Sequence, residues 1–435
     1  MSRKQQLLDK LRQRQATIGV IGLGYVGLPL AVAFAKAGLR VIGLDTSAER
    51  VGQLTRGQNY IPDIADDTLR DCVATQRLQA TTDATRLAEC DAICIAVPTP
   101  LDRFKKPDTT YIEASCTAIG RHMRPGTLVS LESTTYPTTT EDLVIPILER
   151  ESGLRVNEDF WACFSPERID PGNRRYTIEN TPKVIGGFGS DASELAQALY
   201  GTAIEQLHVV GSPREAEMVK ILENTYRLVN ISLINELALL SGKMGINIWN
   251  VIEAAKTKPY GFQAFYPGPG IGGHCIPLDP FYLEFIAKKY GFDLTMINTA
   301  GHIENLMAHR MTIKITSALN SRRKSVNGSR VMFLGAAYKP DINDARESPA
   351  LRIMEEAHRK GATVSYHDPF VPEVELENGV VLSSTPLAGE AITGSDCIVI
   401  TTKHTAVDYS LVAAKASLIV DLCNAYPPGD NVFKF

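Results

Sequence analysis

A glycine-rich loop with a single thiol is the part of this 435-residue chain best suited to covalent chemistry. The loop spans residues 267–280 and reads PGPGIGGHCIPLDP, with Cys275 near its centre. Glycines leave backbone N–H groups accessible, and a thiolate beside such donors is an activated nucleophile. Asp279 follows four residues later and could orient or deprotonate a water molecule. A buried cysteine in a structural turn is the alternative explanation of the same residues.

A lysine and an asparagine are candidate hydrogen-bond donors for the same chemistry. Lys220 and Asn224 lie in the segment EMVKILEN at residues 217–224, and their spacing of four places both on one face of a predicted helix. The rest of that face is apolar, where a donor can stabilise negative charge that develops in a transition state. A lone lysine on a helix is usually a solvated charge, but the thiol loop in the same chain favours a catalytic interpretation.

The N-terminal part of the chain carries a dinucleotide-binding pattern. Gly22, Gly24 and Gly27 form a G-x-G-x-x-G sequence that follows an apolar run and opens a helical stretch. Asp45 lies 21 residues after Gly24 at the end of the next apolar run, where a carboxylate binds ribose hydroxyls and repels a 2′-phosphate. The pattern predicts NAD rather than NADP. Glycines that only ease packing are the alternative, and FAD shares the fingerprint without other support.

Short apolar runs alternate with helical stretches, which is typical of strands in a parallel, doubly wound sheet. The same alternation returns in the last third of the chain. The predicted strands are residues 17–22, 39–44, 91–97 and 127–131 in the first part and 330–335, 362–366, 396–401 and 418–422 in the last. We therefore predict an α/β fold with two Rossmann-like domains.

A long predicted helix at residues 212–243 joins these two domains. Its apolar residues occupy most of its faces, which indicates burial between other elements or against a second copy of the chain. The predicted organisation is an NAD-binding domain at 1–205, a helical connector and dimerisation domain with the thiol loop at 206–315, and a C-terminal α/β domain at 316–435. A homodimer through the long helix is part of this prediction.

Composition and charge exclude several classes of protein. The net charge of −4 gives no basic stripe for a nucleic acid, and no apolar run approaches the roughly 20 residues of a membrane span. A short N-terminal helix carrying Leu7, Leu8 and Leu11 is expected to dock on the protein's own surface. The cysteines show neither disulfide nor zinc spacing, so we expect no metal and a cytoplasmic, reducing location. They are Cys72, Cys90, Cys94, Cys116, Cys163, Cys275, Cys397 and Cys423.

From residue 16 onward the sequence resembles the UDP-glucose/GDP-mannose dehydrogenase family. The resemblance implies an NAD domain, a helical connector that forms the dimer, and a C-terminal domain that binds the UDP-sugar. In that last domain Gly335-Ala-Ala replaces the glycine fingerprint. The motifs that carry the resemblance are GLGYVG at 22–27, ESTTYP at 132–137, SPERIDPG at 165–172, the helix at 217–240, GGHCIPLDP at 272–280 and GAAYKPDINDARESP at 335–349.

The family chemistry implied by this resemblance is the oxidation of C6 of a UDP-sugar to a carboxylate in two NAD-dependent steps. Cys275 would capture the aldehyde as a thiohemiacetal, and the resulting thioester would be hydrolysed by water. Lys220 and Asn224 would donate to the developing oxyanion. Asp279 would hold the hydrolytic water near Thr134, and Glu167 would act as an acid/base group. The base for the first proton is not assigned.

The resemblance also implies ligand contacts, with Arg346 near the cofactor pyrophosphate and Lys339 against the UDP. The expected cofactor contacts are Gly22, Gly24, Tyr25, Val26, Gly27, Asp45, Arg50, Pro98, Thr99, Thr134 and Arg346. The expected substrate contacts are Glu167, Arg168, Lys220, Asn224, Tyr266, Gly272 and Lys339.

Two departures from the family pattern bear on the substrate. UDP-glucose enzymes typically read NPEFLAEG where this chain reads SPERIDPG, so Pro171 replaces their second glutamate and Arg168 replaces an aromatic residue. The thiol loop reads GGHC rather than GGSC. These variants look most like the UDP-N-acetylglucosamine 6-dehydrogenases of bacterial surface-polysaccharide synthesis, including lipopolysaccharide O-antigen. Arg168 is a candidate contact to the acetamido group or to the carboxylate.

Three alternatives stay open. The same reaction could act on UDP-N-acetylgalactosamine, UDP-N-acetylmannosamine or UDP-glucose, because discrimination between related sugars depends on a pocket that the sequence does not display. A non-catalytic protein that binds NAD or a nucleotide-sugar would not need the thiol. A two-electron β-hydroxyacid dehydrogenase would need neither the thiol nor a second α/β domain.

Overall fold

The computed structural model describes residues 1–101, 106–170, 172–173, 175–273 and 276–435. The chain divides into two compact units. The first comprises Met1–Glu223 and Phe281–Phe292, and the second comprises Asn224–Pro280 and Asp293–Phe435.

The first unit is built on an eight-stranded sheet with the order β3-β2-β1-β4-β5-β6-β7-β8 among the described residues. Neighbouring strands run parallel except for β6 and β7. The central strands are fully buried, as expected of a parallel sheet covered on both faces. The strands are β1 (Thr17–Ile21), β2 (Arg40–Leu44), β3 (Leu78–Thr81), β4 (Ala92–Ile95), β5 (Leu128–Leu131), β6 (Trp161–Phe164), β7 (Lys183–Gly187) and β8 (Leu207–Val210).

Helices cover this sheet, and the predicted α/β architecture is confirmed. The N-terminal helix buries Leu7, Leu8 and Leu11 in the core of the unit, as predicted. The helices are α1 (Arg3–Arg12), α2 (Gly27–Lys36), α3 (Ala48–Thr55), α4 (Asp66–Ala74), α5 (Thr110–His122), α6 (Ile145–Ser152) and α7 (Ser190–Tyr200), with a 3₁₀ turn at Ala84–Glu89 and a π turn at Thr140–Val144.

The predicted long helix forms as α8 (Pro213–Met244). It is followed by α9 (Ile248–Lys256), α10 (Asp279–Ala287), a 3₁₀ turn at Lys288–Tyr290 and α11 (Thr295–Ser321). Large apolar side chains on α8 are 41–62% exposed in this single chain, which is unusual for a soluble surface helix. They are Met218, Leu222, Tyr226, Leu233, Leu237, Leu240 and Met244.

The second unit contains a five-stranded parallel sheet with the order β10-β9-β13-β14-β15 within the described ranges. Its elements are β9 (Arg330–Leu334), α12 (Pro349–Arg359), β10 (Thr363–His367), β11 (Glu373–Glu375), β12 (Val381–Ser383), α13 (Gly389–Thr393), β13 (Cys397–Ile400), α14 (Tyr409–Lys415), β14 (Ile419–Asp421) and β15 (Val432–Lys434). The second Rossmann-like sheet is therefore also confirmed. In the part of the chain that is described, no helix is both long enough and apolar enough to span a bilayer.

Candidate active site and cofactor site

The glycine loop joins β1 to α2, and close packing explains two of its three glycines. Gly22 has φ +89°, and a Cβ there would lie 2.4 Å from the Ala96 carbonyl oxygen. A Cβ on Gly27 would lie 1.8 Å from the Gly22 carbonyl oxygen. At Gly24, by contrast, a Cβ would meet no described atom within 4 Å. A side chain at residue 24 would project into open space beside the start of α2, where a phosphate could approach backbone N–H groups.

The Asp45 carboxylate at the end of β2 is buried beside this loop. Its Oδ2 accepts a hydrogen bond from the Leu23 N–H at 2.9 Å, and its Oδ1 accepts one from the Ser47 N–H at 2.8 Å. The half-exposed guanidinium of Arg50 lies 3.6 Å from Oδ2. Tyr60 donates its hydroxyl to the Leu23 carbonyl at 2.6 Å, and burial followed by the Asp45 charge raises the pKa of Tyr60 to about 12. The glycine loop is thus fixed from both sides.

The loops after β4 and β5 are bonded to each other. Thr99 Oγ1 donates to the Thr134 carbonyl at 2.7 Å, and the Val97 N–H donates to Ser133 Oγ at 2.9 Å. Tyr282 on α10 is buried and donates its hydroxyl to the Thr99 carbonyl. The structure therefore brings together Thr99 and Thr134, two of the predicted cofactor contacts.

Three other predicted cofactor residues lie nearer the surface of the first unit. Tyr25 is 42% exposed, Pro98 is exposed and Val26 is half-buried. Tyr25 makes at least one further contact.

Lys220 and Glu167 form a buried pair in the first unit. The Lys220 Nζ donates to the Glu167 carbonyl oxygen at 2.7 Å. Glu167 Oε1 accepts backbone N–H bonds from Arg168 at 2.6 Å and Ile169 at 2.7 Å. Its Oε2 is buried and has no hydrogen-bond partner among the described residues. A carboxylate oxygen that is buried without a hydrogen-bond partner is uncommon and calls for an explanation.

Arg168 is held by protein groups. Its guanidinium donates to the Pro182 carbonyl at 2.7 Å and pairs with Glu223 on α8. A contact of Arg168 with a substrate acetamido group would therefore compete with these two partners.

Asn224 and Asp279 meet in the second unit. The Asn224 side-chain amide donates to Asp279 Oδ2, and both side chains are buried. Asp279 is the first residue of α10 and makes at least one further contact. Cys275 and the preceding His274 lie outside the described residues, so the predicted role of the thiol stays a prediction from the sequence.

A partly buried glutamate supports the thiol loop. Glu304 on α11 accepts hydrogen bonds at Oε1 from Ser232 Oγ and Asn235 Nδ2, each at 2.9 Å. Its Oε2 accepts the Ile271 N–H at 3.0 Å, and Asn235 Oδ1 accepts the Gly268 N–H at 3.0 Å. Burial is the main cause that raises the pKa of Glu304. Sequence reasoning missed this group, because Glu304 lies more than 30 residues from every partner.

The two glycines before His274 are required by close packing. A Cβ on Gly272 would lie 2.6 Å from the Tyr338 Cβ, and a Cβ on Gly273 would lie 2.8 Å from the Tyr338 ring. Gly273 also has φ +83°, and its N–H donates to the Arg346 carbonyl at 3.1 Å. Gly272 and Gly273 therefore set the path of the chain as it reaches the thiol.

Tyr266, a predicted substrate contact, packs against α9. Its ring stacks on Trp249 with centroids 5.8 Å apart, and its hydroxyl donates to Glu253 Oε1 at 2.7 Å. The side chain is 40% exposed.

Arg346 and Lys339 lie in the second unit. The Arg346 guanidinium pairs with Asp344 at 2.7 Å, and Lys339 is half-buried with at least one partner. In the described part of the chain, no group of three or more His, Cys, Asp and Glu side chains could hold a metal ion.

A second glutamate, the buried Glu217 on α8, caps the turn that begins α6. Its carboxylate accepts the Thr138 N–H at 2.6 Å, the Thr140 N–H at 2.9 Å and Thr140 Oγ1 at 2.7 Å. Thr138 has φ +87°, which is unusual for a β-branched residue. Burial raises the pKa of Glu217 to about 7, against these hydrogen bonds.

Family models match the chain in three consecutive segments. Residues 16–204 match the NAD binding domain of the UDP-glucose/GDP-mannose dehydrogenase family, residues 214–305 its central domain and residues 332–428 its UDP binding domain. The chain belongs to this family. It is an NAD-dependent UDP-sugar dehydrogenase.

Relatives of this UDP-sugar dehydrogenase differ in the sugar that their names give. A UDP-N-acetyl-D-glucosamine 6-dehydrogenase of Pseudomonas aeruginosa is 36% identical over 375 residues, 86% of this chain and 87% of the relative. The solved UDP-D-ManNAc dehydrogenase of Pyrococcus horikoshii has a TM-score of 0.87 at 32% identity, covering 96% and 98% of the two chains. The NDP-N-acetyl-D-galactosaminuronic acid dehydrogenase of Methanosarcina mazei Go1 has a TM-score of 0.82 at 31% identity, covering 100% and 97%.

The glycine loop of the dehydrogenase fits NAD. The open space at Gly24 admits a pyrophosphate beside the N-terminus of α2, and the Asp45 carboxylate suits ribose hydroxyls.

The UDP binding domain of the dehydrogenase uses the corresponding loop differently. Asp368, just after β10, accepts at Oδ2 the N–H groups of Ala336 at 2.7 Å and Ala337 at 2.9 Å. The same oxygen lies 3.0 Å from Nε2 of the fully buried His404, whose Nδ1 accepts the Asp341 N–H. Although burial opposes ionisation, the His404 and backbone hydrogen bonds lower the pKa of Asp368 to about 2.

Proposed function

We propose that this dehydrogenase oxidises C6 of UDP-N-acetyl-D-glucosamine to the carboxylate, giving UDP-N-acetyl-D-glucosaminuronic acid. The main support for a four-electron oxidation is the way the protein holds the thiol loop. Its glycines fit closely against Tyr338, and Glu304 and Asn235 hold its backbone, which is the precision that a covalent step requires. The choice of sugar rests on the SPERIDPG and GGHC sequences and on the Pseudomonas aeruginosa relative.

The proposed chemistry divides the oxidation into two steps that are separated by an enzyme-bound thiohemiacetal. Held at the glycine loop and Asp45, bound NAD would supply the hydride acceptor for each of the two oxidations. The Cys275 sulfur adds to the aldehyde carbon after the first, and the thiohemiacetal becomes a thioester in the second. Water then attacks the thioester carbon, and the thiolate leaves with release of the carboxylate. Covalent capture prevents loss of the aldehyde between the two oxidations.

The protein groups proposed for this chemistry act as donors and as acid/base residues. Lys220 and Asn224 donate to the oxygen of the reacting carbon as it gains negative charge. Asp279, held by Asn224, orients the hydrolytic water together with Thr134. Glu167 transfers protons, and its Oε2, which has no hydrogen-bond partner among the described residues, is available for this role.

The remaining predicted residues are proposed ligand contacts. For NAD they are Gly22, Gly24, Tyr25, Val26, Gly27, Asp45, Arg50, Pro98, Thr99, Thr134 and Arg346. For the UDP-sugar they are Glu167, Arg168, Lys220, Asn224, Tyr266, Gly272 and Lys339. We propose that residues 1–205 bind NAD, residues 206–315 form the connector with the thiol loop, and residues 316–435 bind the UDP-sugar.

We also propose that the enzyme is a cytoplasmic homodimer. Its UDP-uronic acid product would be used in the synthesis of surface polysaccharides, including O-antigen. The exposed apolar side chains along α8 support a self-complementary interface. The seven described cysteines are free, as expected in a reducing compartment.

UDP-N-acetyl-D-mannosamine is the second candidate substrate. It is favoured by the structural similarity to the Pyrococcus horikoshii enzyme, which has the higher TM-score of the two solved relatives described above.

The test is the yield of NADH from limiting UDP-sugar and excess NAD, measured by absorbance for the N-acetylglucosamine, N-acetylmannosamine, N-acetylgalactosamine and glucose forms. About two NADH per UDP-N-acetyl-D-glucosamine supports the proposed substrate and the covalent route. About one NADH per sugar would contradict the role of Cys275. A full yield with another sugar alone would replace the substrate, and no NADH with any of them would favour a non-catalytic binding protein.

A further inference from the structure

A buried ion cluster lies in the first unit beside Glu167. The Lys183 Nζ is 2.7 Å from Glu132 Oε2, and the two side chains are 4% and 0% exposed. Tyr200, also fully buried, donates its hydroxyl to the other oxygen of Glu132 and contacts Ser130 Oγ at 2.7 Å. Burying charged groups is costly unless each is paired, so this arrangement calls for an explanation.

The antiparallel β7 explains how the cluster assembles. Glu132 follows the carboxyl end of β5, and Glu167 follows the carboxyl end of β6. Because β7 runs antiparallel to β6, its first residue, Lys183, lies at the same edge of the sheet. A parallel β7 would have placed this lysine at the opposite edge.

Lys183 also faces the acid/base candidate. Its Nζ is 3.9 Å from Glu167 Oε2, the buried oxygen that has no hydrogen-bond partner in the described part of the chain. The same Nζ is 3.5 Å from the Pro166 carbonyl. Although burial alone would lower the pKa of Lys183, its attraction to Glu132 and Glu167 raises it, so the ammonium stays charged.

The other charged groups around Glu167 are engaged elsewhere. Lys220 donates to the Glu167 main-chain oxygen rather than to its carboxylate. Arg168 is paired with Glu223 on α8. Glu132 shares the cation of Lys183, and burial raises the pKa of this carboxyl despite its attraction to Lys183. Of the cations described in this unit, Lys183 is thus the one that approaches Glu167 Oε2.

We propose that Lys183 is a positioning residue that keeps the Glu167 carboxylate ionised and oriented, while Glu132 and Tyr200 hold Lys183 in place. This inference rests on the acid/base role of Glu167 in the proposed function. A stabilising ion pair alone would not require a third charged group, and a buried pair adds little stability compared with apolar packing.

The test compares three variants with the wild-type enzyme, by the pH profile of kcat/KM and by Tm. Glu132→Gln with Lys183→Met removes both charges together, so that no unpaired ion stays buried. Lys183→Arg keeps the cation. The matched control is Lys36→Met with Glu179→Gln, which removes an exposed ion pair of the same unit.

We expect the cluster double variant to fold and to move the pH limb that Glu167 governs upward by about 1 unit or more, since loss of a nearby opposite charge favours the protonated carboxyl. The control should keep the wild-type profile, and Lys183→Arg, which retains the cation but displaces it on a longer side chain, should move the limb upward by less than the double variant does. An unshifted profile in a double variant with wild-type Tm overturns the inference. If the double variant does not fold, the profile of Lys183→Arg decides: an upward shift of the limb, from a longer and displaced cation, supports the inference, and an unchanged profile overturns it.

Glu167→Gln separates this inference from the proposed function. We expect it to lose about 10²-fold or more of kcat/KM. If it does so while the double variant keeps the wild-type limb, the positioning role of Lys183 is wrong and the acid/base role stands. If Glu167→Gln loses less than about 10-fold, the acid/base role is wrong and the inference fails with it.

Discussion

Replacing Glu304 with glutamine should loosen the thiol loop without unfolding the enzyme. The carboxylate accepts three hydrogen bonds, two at Oε1 from α8 and one at Oε2 from the Ile271 N–H. A glutamine side chain offers one acceptor oxygen and one amide NH₂ group, which can only donate. If its oxygen keeps the two bonds to Ser232 and Asn235, its NH₂ group must face the Ile271 N–H, so that two donors oppose each other.

The expected cost is the loss of one backbone hydrogen bond at the half-buried Ile271, about 0.5–1.5 kcal/mol of unfolding free energy. This cost falls on the segment that leads directly to Cys275, so the loop should move while the sheet of the unit stays intact. We expect a small decrease in Tm, a changed rate of Cys275 alkylation by iodoacetamide, and an NADH yield per sugar that falls from two toward one. In the proposed mechanism the first oxidation does not use the thiol, so it should be affected less.

Glu355→Gln is the control, because this half-buried glutamate accepts a bond from the Glu377 N–H at 3.1 Å in the same unit. The reasoning is refuted if Glu304→Gln matches Glu355→Gln in alkylation rate and in NADH yield. A loss of both oxidations in equal proportion would also refute it, since that pattern would indicate general damage.

Four further outcomes are expected. Cys275→Ser should stop the reaction after the first oxidation, with about one NADH per sugar and detectable aldehyde, and a full yield of acid would exclude the covalent route. Asp45→Ser should reduce the preference for NAD over NADP by about tenfold in kcat/KM, as one lost charge contact implies. Glu217 binds its proton more tightly in the folded state, so the native protein holds more protons between pH 4.5 and about 7, and the free energy of unfolding should fall by up to about 3 kcal/mol as the pH rises through that window. Urea titrations at pH 5 and pH 8 would measure this, and Glu217→Gln should flatten the difference. Leu237→Asp should convert a dimer to a monomer in light scattering, whereas a wild-type protein that is already monomeric would contradict the proposed interface.

The parts of the fold that the sequence predicts well are those set by neighbouring residues. The strand at 17–22, the glycine turn and Asp45 lie within 30 residues, and local packing determines their arrangement. The long helix was also predictable, because its apolar pattern continues over many turns. The direction of β7 was not, since KVIGG has the same β-strand character in either orientation.

Candidate-site residues that sequence reasoning missed are held together over long separations. Glu304 meets Ile271 and Asn235, and Lys183 meets Glu132, only because the chain returns to the same place. The residue types alone did not indicate these contacts, because charged side chains such as glutamate and lysine are usually exposed to solvent. Arg168 shows the opposite case, because a distinctive residue type suggested a ligand contact while the fold supplies Glu223 and Pro182 as partners.

The two Rossmann-like sheets differ in how many hydrogen bonds the carboxylate after the second strand of each domain, Asp45 or Asp368, already accepts. A carboxylate offers about four lone-pair sites. Asp45 accepts two backbone bonds from described residues and so retains capacity for a ribose hydroxyl. Asp368 already receives Ala336, Ala337 and His404 at one oxygen and the N–H groups of Phe370 and Val371 at the other. The carboxylate at the end of β10 is thus fully occupied by groups of its own domain, whereas the carboxylate at the end of β2 keeps acceptor capacity for a ligand.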